Sequence, residues 1–163
     1  MNYEEQYAQK QVYSRLYKNM ALFGRTCFPT ALHKDIPPFH ANIYSSLADD
    51  KKRRVAIAAP RGTAKSTTTT LVYPLWRAAF KKSKEDLFIV IISESQAQSI
   101  NFLSRIKYHL EHSGQYRKLF GNLGPETAQR WTHTDIILAN GTRIVAVGTG
   151  QRVRGFLQGD TRP

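Results

Sequence analysis

Ala59-Pro60-Arg61-Gly62-Thr63-Ala64-Lys65-Ser66-Thr67 is the stretch that decides how this chain is read. Directly before it runs Val55-Ala56-Ile57-Ala58-Ala59, an apolar series that predicts a buried strand over residues 54–59. Directly after it, residues 66–80 have helical character. Strand, tight loop, Lys-Ser and helix together form the layout of a phosphate-binding P-loop. The backbone N–H groups of such a loop, with the N-terminus of the following helix, converge on one spot and hold phosphate oxygens there. In that layout Lys65 bridges the β- and γ-phosphates of a nucleotide and the Ser66 hydroxyl ligates Mg²⁺. Ala59 and Ala64 stand where G-x-x-x-x-G-K-[ST] has its outer glycines. A left-handed Ala64 would therefore carry strain of about 1–2 kcal/mol, and Gly62 would move the tight turn earlier. The alternative is a Gly-containing turn that caps a core helix and leaves a lysine exposed.

Charge narrows the choice of partner. Twenty-four Lys and Arg against 12 Asp and Glu give a net charge of +12, an excess that favours a polyanion such as nucleic acid or nucleotide. A basic surface without a ligand, or the basic half of a longer chain, gives the same balance. The tight basic run Lys51-Lys52-Arg53-Arg54 reads first as a solvated strand start and second as a DNA contact. Cys27 is the sole cysteine, so no disulfide framework forms within the chain. The longest wholly apolar run, residues 87–92, is too short to span a bilayer, and residues 1–5 lack the pattern of a signal peptide. A cytosolic protein is expected.

Residues 1–36 read as a helical lead-in, with Tyr13, Leu16, Tyr17, Met20 and Phe23 at helical spacing. Pro37-Pro38 opens a short helix over residues 39–47. Pro74 is expected to kink the helix after the loop. Residues 86–92 predict a continuous apolar strand of the kind buried on both faces of a parallel sheet. Ser95 caps a helix over residues 96–112, and Asn140-Gly141 marks a hairpin between residues 132–138 and 142–147. The expected fold is α/β: a P-loop NTPase-type parallel sheet flanked by helices, with an added β-hairpin, over residues 37–163. Phosphoryl transfer also needs a strand ending in an acidic pair. Glu94 is the nearest candidate, and it lies two residues beyond its strand.

The loop resembles the deviant P-loop of tailed-phage terminase large subunits, the DNA-packaging motors, which often carry an early Arg and tolerate Ala for Gly. Pro38-Phe39-His40 upstream, the strand Phe88-Ile-Val-Ile-Ile-Ser93, Trp131 with the Asn140-Gly141 hairpin, and Gly148-Thr-Gly-Gln-Arg-Val-Arg-Gly155 with Arg162-Pro163 fit the same family. The resemblance spans residues 37–163. It implies the N-terminal ATPase portion of a terminase, truncated or split just before its acidic motif and without the nuclease domain, so this chain alone is expected to bind ATP weakly at best and to hydrolyse it negligibly. ATP and Mg²⁺ are the implied cofactors. The implied partners are double-stranded DNA, a portal protein, a terminase small subunit and further copies of the chain, in the cytoplasm of a bacterial host.

The resemblance also implies site residues. Pro60, Arg61, Gly62, Thr63, Ala64, Lys65, Ser66 and Thr67 would hold the nucleotide, with Ser66 on the metal. Lys65, Arg61 and Arg154 would act on the γ-phosphate, Arg154 as an arginine finger. Arg152 reads instead as a surface residue of the Gly-rich loop. Terminase motors commonly read adenine with an upstream Gln; this chain has His40 there, either a base contact or a helix-capping, core-edge histidine. Two rivals stay open: another P-loop nucleic-acid ATPase or helicase, and a non-catalytic, basic nucleic-acid-binding remnant.

Overall fold

The computed structural model describes residues 3–32, 37–82 and 86–151. The chain divides into two compact units, Met1–Trp76 and Arg77–Pro163.

The first unit is helical. Helix α1 spans Tyr3–Lys18 and α2 spans Met20–Cys27. The lead-in is broken in two because Asn19 takes the N-cap position, its side chain accepting from the Leu22 N–H at 2.9 Å. Helix α3, Pro38–Ala48, starts as expected after Pro37, with proline at the position where a missing N–H is harmless. The helix after the loop comes in three parts. A three-residue α4, Lys65–Thr67, leads into a π-helical turn, Thr68–Val72, and then α5, Tyr73–Ala79.

Pro74 accounts for the π turn. Without an N–H it cannot continue the i→i−4 ladder, and the Tyr73 N–H reaches back five residues to the Thr68 carbonyl. The hydroxyls of Thr69 and Thr70 bond the Lys65 and Ser66 carbonyls at 2.9 and 2.7 Å. Leu16, Met20, Phe23, Phe28, Tyr44, Leu71 and Val72 form the core of this unit.

Residues 54–59 do not form the expected strand. They have no ladder partner among the described residues, and Val55 is 38% exposed. An apolar run becomes a buried strand only where another strand accepts its backbone groups. Here none does.

The second unit is α/β. Strand β1, Phe88–Ser93, precedes α6, Gln96–His112, and α7, Gly114–Phe120; β2, Arg130–Trp131, β3, Asp135–Ile137, and β4, Arg143–Gly148, complete a mixed sheet. The sheet order is β1-β4-β3-β2. Strands β1 and β4 run parallel, and β3 is antiparallel to both β4 and β2. Every residue of β4 is buried, as befits a strand flanked on both sides. By contrast β1, expected to be buried on both faces, is an edge strand whose Ile92 is 58% exposed. Ser95 caps α6 as expected, accepting from the Gln98 N–H.

The Asn140-Gly141 hairpin is present with a longer loop than that pair usually signals. Leu138 N–H bonds Thr142 O and Gly141 N–H bonds Leu138 O, so three residues form the loop and only Gly141, at φ 78°, is left-handed. Asn140 is occupied elsewhere, donating to the Ala78 carbonyl at 2.8 Å.

Candidate functional site

The loop of residues 59–66 lies within the first unit. Two of its residues have positive φ: Gly62 at 81° and Ala64 at 54°. A Cβ added to Gly62 would meet nothing within 4 Å, so its glycine serves conformation, not space. Ala64 has a Cβ and takes the left-handed region all the same, the one non-glycine residue with positive φ among those described. Thr63 Oγ1 donates to the Pro60 carbonyl at 2.8 Å and draws the loop tight.

Lys65 folds back over this loop. Its Nζ donates to the carbonyls of Ala59 at 2.9 Å and Pro60 at 3.2 Å. Arg61 and Ser66 are exposed, and neither side chain has a hydrogen-bond or ion-pair partner among the described residues. Pro60 is also exposed, and Thr67 is half-buried at the end of α4. Lys65, Arg61 and Ser66 thus belong to one short turn, with the Lys65 ammonium held against its carbonyls.

Helix α3 supports the turn from the side. His40 is 4% exposed, and its Nε2 lies 2.5 Å from the Thr63 carbonyl. A carbonyl only accepts, so Nε2 carries the proton. Nδ1 is buried with no hydrogen-bond partner among the described residues. The ring is packed edge-on against Phe39 and Tyr44, with centroids 4.5 and 6.2 Å away. One helical turn along α3, the Tyr44 hydroxyl accepts from Thr68 Oγ1 at 3.5 Å. Burial raises the phenol pKa of Tyr44, with the Thr68 bond pulling the other way. Two residues four apart on α3 therefore reach the loop and the first turn behind it.

Of the sequence-derived site residues, the structure brings His40 and 60–67 together. Arg152 and Arg154 lie outside the described residues. Glu94 is exposed and belongs to the second unit. Among the described residues, no group of three or more His, Cys, Asp or Glu is placed to hold a metal ion. An open cleft of about 300 Å³ in the second unit, lined by Gln96, Thr134, Asp135, Val147 and Gln151 among others, includes no loop residue. Sequence reasoning misses the Tyr44–Thr68 pair; the four consecutive threonines 67–70 are its signal, and on their own they read only as a helix start.

Compared with known proteins, the chain matches no family model, no curated protein and no solved structure. No described helix is long and apolar enough to cross a membrane.

Proposed function

We propose that the chain is the nucleotide-binding part of a terminase-type motor, an ATPase that drives double-stranded DNA into a procapsid. The observation that carries this reading is the turn itself. Left-handed Gly62 and Ala64 immediately precede a lysine whose ammonium is folded onto the loop's own carbonyls.

The residues fit a phosphate group. The turn at Gly62 opens onto free space. Lys65 already makes charge-assisted bonds to two carbonyls, so it exchanges neutral acceptors for anionic ones as a phosphate arrives. Ser66 presents a hydroxyl beside it. When bound, Mg²⁺ supplies charge neutralisation between the β- and γ-phosphates. Arg61, exposed on the turn, adds positive charge at its rim, and Arg154 is assigned to the γ-phosphate as an arginine finger. The net charge of +12 supports a DNA partner through counterion release. The portal protein, small subunit and partner copies follow from the same resemblance.

A calorimetric titration with MgATP tests the reading. The parent chain should bind, and Lys65→Ala should weaken binding more than tenfold, about 1.4 kcal/mol or more. Equal affinity in the two proteins would remove the P-loop assignment. Salt-dependent DNA binding with no nucleotide binding would replace it with a non-catalytic nucleic-acid-binding protein.

A further inference from the structure

The strained residue of the loop, Ala64, and the buried ring of His40 meet at one peptide bond. That bond joins Thr63 to Ala64; its carbonyl accepts from His40 Nε2, and its N–H belongs to Ala64. A trans peptide is planar, with C=O and N–H pointing in opposite directions. Fixing the Thr63 carbonyl toward α3 therefore aims the Ala64 N–H away from α3.

The same plane sets the strain. Rotating this peptide by half a turn would carry φ of Ala64 from 54° to a negative value and take it out of the left-handed region. Ala64 nonetheless stays at positive φ. The flipped loop would present a carbonyl where it now presents an N–H, and a carbonyl repels phosphate.

From this juxtaposition we infer that His40 is a positioning residue that locks the Thr63–Ala64 peptide in its phosphate-accepting orientation. The phosphate half of the statement rests on the P-loop reading above; the lock itself does not. The hydrogen bond from His40 opposes the left-handed strain at Ala64. Each is comparable to the other, so losing the bond frees the flip. The orphaned Nδ1 agrees with this role. Burying a polar nitrogen without a partner is unfavourable, and the ring is retained there with Nε2 turned onto the loop.

The test uses the full chain with His40→Leu, which removes the donor at similar volume, His40→Gln, which restores one, and each of these combined with Ala64→Gly. The HN–Hα coupling of residue 64 reads its φ with no ligand present. It should report positive φ in the parent and in His40→Gln, and negative φ in His40→Leu. In parallel, His40→Leu should weaken MgATP binding about tenfold, His40→Gln should hold it near the parent value, and in the Ala64→Gly background the His40→Leu loss should shrink severalfold, because glycine keeps the left-handed conformation without help.

An unchanged coupling in His40→Leu overturns the lock. So does an affinity loss of equal size with Ala64 and with Gly at that position, which would mark a packing effect. Should no protein in the set bind MgATP while the coupling changes as described, the lock stands and the P-loop reading fails.

Discussion

Arg143 grips Asp135 at two points across neighbouring strands, Nη2 to Oδ2 at 2.7 Å and Nε to Oδ1 at 3.1 Å. Arg130 of β2 adds a third bond to Oδ2 at 2.6 Å, and the Arg143 guanidinium lies 5.0 Å from the Phe88 ring centroid on β1. One carboxylate therefore gathers charge from β2 and β4 while its principal partner leans on β1. Strands β2 and β3 are too short to hold register by ladder bonds alone, and this cluster fixes them.

Burial opposes the charge on Asp135, yet the bonds from Arg143 and Arg130 outweigh it and hold the carboxyl below the ordinary range. A depressed folded-state pKa contributes stability that is present above the unfolded value, near 4, and is lost as pH falls through the folded value. Asp135→Asn keeps the shape and removes the negative charge that the nearly buried Arg143 grips. We expect a loss of about 2–3 kcal/mol at pH 7, in the range for charge-assisted bonds. Urea unfolding at pH 7 and pH 3 checks it: the gap between parent and variant should narrow in acid, and a gap independent of pH would rule out the carboxylate as its source.

Local signals proved the legible ones. Ser95 with its apolar helical spacing gave α6, and Pro37-Pro38 gave α3, because a cap or a proline acts within a few residues of itself. Asn140-Gly141 gave a hairpin but not its length. The pair signals a two-residue loop only when both residues turn left-handed, and Asn140 is engaged with Ala78, 62 residues away. The strand at residues 54–59 failed for a related reason: an apolar run states that it is suited to burial without stating which strand will pair with it. His40 was singled out by its place after Pro38-Phe39, but its acceptor, the Thr63 carbonyl, is a backbone group with no sequence signature. Left-handed Ala64, by contrast, was legible through the glycine that the motif expects there.

Gly24 lies inside α2, where replacement by alanine ordinarily gains about 1 kcal/mol in helix propensity. Here the sign should reverse. A Cβ at Gly24 would stand 2.6 Å from Leu32 Cδ1 and 3.1 and 3.3 Å from the two Val72 methyls. Leu32 can rotate its terminal methyl away, but Val72 is β-branched, fully buried and stiff at χ1. Overpacking of this kind costs about 1–3 kcal/mol. Gly24→Ala should therefore lower stability by about 1 kcal/mol net, read from the urea midpoint. A stabilised variant would mean that α2 and the π turn separate more easily than their packing implies.

Ala64→Gly should act in the opposite direction. The substitution removes left-handed strain of about 1–2 kcal/mol and gives back about 0.5–1 kcal/mol in the added freedom of the unfolded glycine. The balance is a gain of about 0.5–1 kcal/mol. The cap position keeps its role, since the Thr68 N–H bonds the Ala64 carbonyl at 3.0 Å through backbone alone. The loop's own bonds, Thr63 to Pro60 and Lys65 to Ala59, do not involve the methyl. Nucleotide affinity should accordingly be equal to or better than the parent's, because glycine populates the same backbone without strain. Unfolding curves and MgATP titrations of the two proteins measure both effects. A destabilised Ala64→Gly would show that the alanine methyl packs against something the strain argument leaves out, and a stabilised variant with lost nucleotide affinity would show that the strained backbone itself serves binding.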